Sequence, residues 1–536
     1  MKTLALVCLA VVLGGCATNR AVPSNVENPG ASATRPNILV ILVDDLGWRD
    51  LGPYGQDFAR TPRIDEFAKD SVMFTAAYSA GPNCSPTRAA LMTGKYPARV
   101  NITDWIPGAQ YPKAKMLAAK DLDALPLEEV TIAESLKGTG YATWHVGKWH
   151  LGREGFFPED QGFDVNIMGS HIGHPASHFF PYGNSLDGKP AHNSAVPLRP
   201  LVGAKGEYLA DRQAEEAAAL LKRAAQSDTP FFLHLSFYAV HAPLEARESD
   251  IERYRELRAA NDKGGQPEGE PGSRLPRPVY AAMIESLDTA VGRVLDELRA
   301  SGLERSTLVV LTSDNGGLSS STDNRPLRGG KRSLWEGGIR VPLLVRWPGV
   351  TTPGTRRSDP VITQDLYATA CEVAGARPSD EVLEDSRSLV GLLHGRDASL
   401  DRTALFWHFP HNETADVGPR GAVREGRWKL IEDLEDGSVQ LFDLEVDPSE
   451  TRDVSKDNAG VAARLTGRLR EWRSRVGANM PTPNPNAAPG DRGMLPIAEQ
   501  GELAVGAVVV PDNALSNRHQ CACVAEAVIE ASSRRR

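Results

Sequence analysis

Pro36-Asn37-Ile38-Leu39-Val40-Ile41-Leu42-Val43-Asp44-Asp45 sets six apolar residues in a row and closes them with two acids. A run of this kind, partly β-branched and without polar alternation, predicts a strand buried on both faces, as in a parallel sheet. In open α/β sheets ligands bind at the C-terminal strand ends, so Asp44-Asp45 marks that edge. The same grammar recurs further along the chain. A helix is predicted over 131–140, opened by a Thr131/Glu134 capping box and closed by glycines. A second strand over 141–147 runs into Lys148-Trp149-His150. An Ala/Leu/Glu-rich helix over 207–225 precedes a third strand, 231–237, which leads to His241. Tyr280, Met283, Ile284, Leu287, Val291, Val294, Leu295 and Leu298 recur at three and four residues, the spacing of an amphipathic helix. A fourth strand, 307–312, ends at Ser313-Asp314-Asn315-Gly316-Gly317, and 341–347 reads as a fifth. Strands alternating with helices predict an α/β fold: a large, mostly parallel sheet sandwiched by helices.

The character of the chain changes near residue 401. Segments 421–431 and 438–444 read as a hairpin across Glu435-Asp436-Gly437, and Val461, Leu465, Leu469 and Trp472 mark a following helix. This predicts a smaller C-terminal α+β subdomain over 401–476. Residues 477–536 are rich in Pro, Asn and Ala, end in three arginines, and are expected to hold little fixed structure. The N-terminus has Lys2, an apolar run from Leu4 to Leu13, and Gly14-Gly15-Cys16. The run is too short to span a bilayer and reads as an export signal. Leu13-Gly14-Gly15-Cys16 resembles a lipobox, which implies a lipoprotein signal over 1–15 and lipidation of Cys16. Polar residues 16–35 then form a tether. The expectation is an exported bacterial lipoprotein, anchored to the outer membrane at its periplasmic face or at the cell surface.

The chain has 536 residues, of which 41% are hydrophobic and 24% charged, as expected of a folded protein. Its 60 basic and 69 acidic side chains leave a net charge of −9, which argues against a nucleic-acid partner. An anionic substrate would need positive charge gathered locally. Six cysteines in a chain this long are not a disulfide scaffold.

One acid at a strand end is ordinarily a turn former or helix cap. Asp44/Asp45, Lys148/His150, His241 and Asp314/Asn315 would all face one sheet edge, and that coincidence favours a site. Asp44, Asp45, Asp314 and Asn315 are hard oxygen donors, suited to Ca²⁺ or Mg²⁺ and not to zinc. Cys84, in Asn83-Cys84-Ser85-Pro86-Thr87-Arg88, precedes a Pro in the first turn of a predicted helix. It therefore sits where a helix dipole favours negative charge.

Cys84-Ser85-Pro86-Thr87-Arg88 with Leu91-Met92-Thr93-Gly94 resembles the signature of the type I, formylglycine-dependent sulfatases of the alkaline-phosphatase-like superfamily. Asp44-Asp45-Leu46-Gly47-Trp48, Gly147-Lys148-Trp149-His150-Leu151-Gly152, His241-Ala242-Pro243, Ser313-Asp314-Asn315-Gly316-Gly317 and Gly329-Gly330-Lys331 with Glu336-Gly337-Gly338 are similar to further motifs of that family, in its order. The resemblance covers roughly 35–475 and implies a sulfatase catalytic domain over 36–400. It implies that a maturation enzyme oxidises Cys84 to formylglycine (3-oxoalanine). The hydrated aldehyde then offers one hydroxyl to attack sulfur and a second to expel sulfate. It also implies Ca²⁺, rather than Mg²⁺, bound by Asp44, Asp45, Asp314, Asn315 and the modified Cys84. Arg88 and Lys148 would stabilise the nucleophile, and His150 would deprotonate the second hydroxyl. His241 and Lys331 would hold sulfate and the leaving oxygen, with His241 the general acid. His171, His174 and His178 form a His-rich loop that could line a sugar pocket, but their spacing fits no metal motif.

Thr103-Asp104-Trp105-Ile106-Pro107-Gly108 and Trp407-His408-Phe409-Pro410 resemble bacterial sulfatases of polysaccharide-derived sugars. The implied substrate is a sulfated oligo- or polysaccharide, of a galactose or N-acetylgalactosamine type sulfated at O4 or O6. A phosphonate or phosphodiester hydrolase of the same superfamily, and a catalytically dead glycan-binding protein, stay open as alternatives.

Overall fold

The structure, a computed structural model, describes residues 35–109, 111–182, 203–261, 277–412 and 417–487. The leader, the tether as far as residue 34, and residues 488–536 lie outside them. In chain order the strands are β1 (Asn37–Val43), β2 (Val72–Tyr78), a short β3 (Met116–Leu117), β4 (Ala142–Gly147), β5 (Val165–Ile167), β6 (Phe231–Ser236), β7 (Thr307–Ser313), β8 (Arg340–Arg346), short β9 (Arg356–Arg357) and β10 (Val361–Ile362), β11 (Leu405–Phe409), β12 (Arg420–Glu425), β13 (Trp428–Asp433), β14 (Val439–Asp443) and β15 (Thr482–Pro483).

Nine strands form the large sheet, in the order β10-β2-β8-β7-β1-β6-β4-β5, with β9 also paired to β2. Every pairing in it is parallel except those of β8, which runs antiparallel to both β2 and β7. All seven residues of β1 are buried, because both faces of the sheet are covered. Leu39, Ile41 and Val43 pack under the helices Leu209–Ala224 and Pro278–Ala300. Ile38, Val40 and Leu42 pack on the other face against the helices Cys84–Thr93, Ile132–Lys137 and Asp365–Ala374. Helix Ile132–Lys137 opens with the expected capping box: Glu134 N–H donates to Thr131 Oγ1 (3.1 Å) and Thr131 N–H donates to Glu134 Oε2 (2.8 Å).

Register decides where the site lies. Leu42 pairs with Ser236 on one side and Thr312 on the other, and Ser236 pairs with Gly147. Four strands therefore finish level, and the loops that leave their C-terminal ends emerge at one edge.

The C-terminal part differs from the expectation in one respect. Segment 421–431 is not one strand but two, β12 and β13, turning at Gly426, whose φ of +57° suits a residue without Cβ. With β11 and β14 they make a four-stranded antiparallel sheet, covered by the helix Ala459–Val476 through Leu465, Leu469 and Trp472. The expectation of little fixed structure beyond 477 does not hold for 478–487. There β15 pairs with β3, and Asn484 Nδ2 donates to Ala114 O (2.7 Å). From Pro36 onward the large α/β part and the C-terminal part belong to one compact unit.

Candidate active site

The helix Cys84–Thr93 begins at Cys84 itself, with Asn83 as its N-cap. Its start is tied to its surroundings: Gly81 N–H donates to Thr87 Oγ1 (3.1 Å), and Ser85 Oγ donates to His150 O (2.9 Å). The register of the sheet then brings the strand-end residues to this point. Ligand atoms of Asp44, Asp45, Cys84 and His241 lie within 4.8 Å of one another. Cys84 Sγ is 3.6 Å from Asp44 Oδ1 and 3.6 Å from Lys331 Nζ. Lys148 Nζ donates to Asp44 Oδ2 (2.6 Å), and Lys331 Nζ lies 2.7 Å from Asp45 Oδ1.

Arg88, fully buried, is held at three points. Its Nη2 donates to Asp314 Oδ2 (2.7 Å), and its Nη1 donates to Lys148 O (2.9 Å) and Ser236 Oγ (2.6 Å). Asp314 Oδ1 accepts Asp45 N–H (3.2 Å), which locks the two acid-bearing loops together. Asn315 Nδ2 donates to Asp45 Oδ1 (2.8 Å), while Asn315 Oδ1 is buried without a partner. Three carboxylates and an unpartnered amide oxygen in one buried cluster are a donor set that fits a hard cation.

The charges explain the protonation tendencies. Burial raises the Cys84 thiol, but Lys148 and Lys331 outweigh it and bring it down to about 6. Burial and the neighbouring Asp44 push Asp314 up to about 6 despite Arg88. Burial lifts Asp44 as well, whereas Lys331 overcomes burial at Asp45 and holds it below the usual carboxylate range.

The two histidines differ in what they offer. His150 Nε2 faces the carbonyl of Ile106 (2.7 Å), so it must be the protonated nitrogen. Its Nδ1 then carries the lone pair, and it is buried without a partner. Burial and Lys148 keep the ring neutral. His241 Nδ1 faces Ala242 O (2.8 Å), so Nε2 is left toward Lys331 Nζ (3.0 Å) and Asp45 Oδ2 (3.6 Å). Burial and Lys331 press the His241 pKa down, yet the Asp45 and Asp44 carboxylates leave it raised.

Every candidate named from the sequence therefore converges on this edge: Asp44, Asp45, Cys84, Arg88, Lys148, His150, His241, Asp314, Asn315 and Lys331. The His-rich loop splits. His178 Nε2 donates to His241 O (2.9 Å), and the His174 ring stacks on His241 with centroids 5.6 Å apart. His171 makes neither contact, and none of the three joins the ligand cluster. Two supporting residues gave no sequence signal. Gln213, from the helix Leu209–Ala224, donates to Ser236 O (2.9 Å) and accepts Tyr238 N–H (3.3 Å), bracing the strand end that leads to His241. Ser236 holds Arg88. Gln213 sits among Asp211, Arg212, Glu215 and Glu216 of an amphipathic helix and Ser236 closes an apolar strand, so neither stands out along the chain.

The sulfatase family model matches residues 36–376, and that of the N-sulphoglucosamine sulphohydrolase C-terminal region matches 330–475. A sulfatase of Formosa agariphila is 29% identical over 86% of this chain and 93% of its own length. The N-acetylgalactosamine-6-sulfatase of Homo sapiens is 32% identical over 72% of this chain and 71% of its own. Among solved structures, Ps i-CgsB in complex with k-i-k-neocarrahexaose superposes with a TM-score of 0.66 at 29% identity, covering 82% of this chain and 93% of that one.

Proposed function

We propose that this chain, which belongs to the sulfatase family and is a sulfuric ester hydrolase, removes sulfate from a galactose- or N-acetylgalactosamine-type sugar, using Cys84 oxidised to formylglycine and a bound Ca²⁺. The observation that carries this reading is the convergence of Cys84 Sγ with two carboxylates and two lysines at the sheet edge. The likeness to an N-acetylgalactosamine-6-sulfatase and to a protein crystallised with a neocarrahexaose supports the sugar class.

Oxidised and hydrated, residue 84 supplies two hydroxyls on one carbon, one to attack sulfur and one whose deprotonation expels sulfate and restores the aldehyde. Asp44, Asp45, Asp314, Asn315 and residue 84 would hold Ca²⁺, which supplies Lewis-acid polarisation of the sulfate. The chain's own groups do the rest. Arg88, locked by Asp314 and Ser236, presents a fixed positive charge beside residue 84. Lys148 adds a second, next to Asp44. His150 accepts a proton at Nδ1, the nitrogen of its ring that keeps a free lone pair. His241 and Lys331, 3.0 Å apart, hold and donate a proton to the leaving sugar oxygen. The positive charge that the overall −9 does not supply is gathered here.

The proposal includes export as a lipoprotein through Cys16, which palmitate labelling that disappears in Cys16→Ser would support. The decisive experiment combines tryptic mass spectrometry of the Cys84 peptide with turnover of 4-O- and 6-O-sulfated galactose and N-acetylgalactosamine. Formylglycine at residue 84 and release of sulfate from one of these sugars are expected. Active protein with only a thiol there would sink the nucleophile. Faster cleavage of an aryl phosphonate than of any sulfate would favour the phosphonate hydrolases, and sugar binding without turnover a dead binding protein.

A further inference from the structure

We propose that Arg332 and Tyr111 form a subsite for a second anionic group of the substrate, a sulfate ester or a uronate carboxylate near the scissile sulfate. This rests on the reading of the site as that of a sulfated-carbohydrate hydrolase.

Arg332 follows Lys331, whose ammonium is committed to Asp45, Cys84 and His241. Its backbone has φ of +74°, a left-handed conformation that a non-glycine residue keeps only when its surroundings hold it there. Arg332 N–H donates to Pro82 O (2.8 Å), two residues before Cys84, so the residue is pinned beside the nucleophile. The side chain turns to the loop opposite, where Nη2 donates to Tyr111 Oη (3.0 Å). That loop is itself tied to the nucleophile's helix, since Asn83 Nδ2 donates to Asp104 Oδ1 (2.6 Å).

The guanidinium lacks a counter-charge. Among the described residues no carboxylate forms an ion pair with Arg332, and its Nε is buried without a hydrogen-bond partner. Neighbouring arginines are accounted for. Arg325 pairs with Asp323, Arg340 with Glu336, and Arg328 lies over Trp335 and donates to Glu450 O. The guanidinium is a half-buried cation, and one neutral acceptor satisfies only one of its five N–H groups. An incoming oxyanion supplies both the missing charge and acceptors matched to the planar fork.

Tyr111 completes the pair of donors. Because its oxygen accepts from Arg332, its own O–H proton is left to donate. Its ring packs with Ala109, Ala114 and Trp105, which fixes the hydroxyl. Lys331 thus serves the sulfate being cleaved, while Arg332 serves an anion that is not cleaved. Substrate selection, not catalysis, is its role.

The test uses Cys84→Ala protein, which binds without turning over, with and without Arg332→Gln or Arg332→Lys. Calorimetry compares N-acetylgalactosamine 6-sulfate, its 4,6-disulfate and the 6-sulfate joined to a uronate. With Arg332 present, the second anion should tighten binding by roughly 10-fold or more, less so at high salt. Arg332→Gln should abolish that gain and leave the monosulfate unchanged. Arg332→Lys should restore part of it, keeping the charge but not the fork. Whichever of the disulfate and uronate arms shows the gain identifies the anion. Equal weakening of all three by Arg332→Gln would make the residue a structural prop and overturn the proposal, as would no change in any. If all three bind equally while the unsubstituted enzyme still releases sulfate from the sugar, the subsite alone is wrong. If none binds and none is cleaved, the sulfated-sugar reading falls with it.

Discussion

Glu450 is the residue whose replacement should stabilise this protein, and only at high pH. Its buried carboxyl lies 2.8 Å from Lys429 Nζ on β13 and accepts Glu336 N–H (2.7 Å). The same lysine donates to Glu336 Oε1 (2.9 Å), while Tyr78 O–H donates to Glu336 Oε2 (2.8 Å). Two buried carboxylates thus share one ammonium where the C-terminal sheet meets the segment after Lys331. Burial pushes Glu450 up, Lys429 pulls it back and the Glu336 charge adds to burial, leaving it at about 7 against an ordinary 4.5. Glu336 has the better claim on the lysine, which overcomes burial and holds it at about 2. An acid whose folded pKa is raised keeps its proton when folded and loses it when unfolded. Stability is therefore lost as pH rises from the unfolded value through the folded one. The gap from 4.5 to about 7 corresponds to roughly 3 kcal/mol, felt in full above the upper value. Glu450→Gln preserves shape, still accepts Glu336 N–H through its amide oxygen, and leaves Lys429 to Glu336 alone. Urea unfolding at constant ionic strength should show a gain below ~1 kcal/mol near pH ~5 and one of up to about 3 kcal/mol near pH ~8.5, with an unaltered m-value. Lys429→Met, which strands the acids, should instead cost about 3–5 kcal/mol. A Gln variant with the same effect at both pH values, or destabilised at the higher one, refutes the reasoning.

Two further outcomes concern the site. Chelation should abolish sulfate release and Ca²⁺ or Mg²⁺ should restore it, with Asp314→Ala beyond rescue; stoichiometric zinc with no response to either ion would contradict the oxygen-donor set. His241→Ala should harm sugar-sulfate turnover by roughly 10²–10⁴-fold while sparing an activated aryl sulfate, because a good leaving group needs no acid. His150→Ala should slow both substrates alike and let sulfated enzyme accumulate, and equal losses in both variants without such an intermediate would undo that division.

Much of the fold was legible along the chain. The uninterrupted apolar run 38–43, the capping box at Thr131 and the helical spacing from Tyr280 to Leu298 are local patterns, and each forms what it predicts. β2 was not anticipated: Val72–Tyr78 has Thr75 and two alanines in its centre and reads weakly as a strand. It is held by antiparallel pairing to β8 and parallel pairing to β9 and β10, partners 260 or more residues away. The split of 421–431 was missed because Gly426-Arg427 is a faint turn signal between two strands of similar composition.

At the site, sequence alone determined which reactive residue types stand at the strand ends, since residue types and motif order are properties of the chain. Tertiary structure alone decided their relations. Lys148 pairs with Asp44 across 104 positions and Arg88 with Asp314 across 226, and no local period encodes such separations. The level finish of four strands comes from register, which is settled by packing on both sheet faces. The same holds for the protons. Which nitrogen of His150 is free depends on the carbonyl of Ile106, 44 positions away, and the shared ammonium of Glu336 and Glu450 depends on Lys429 of β13, 93 positions from Glu336. Identity is written in the chain, but desolvation and charge are sums over neighbours in space, and only the folded chain supplies those neighbours.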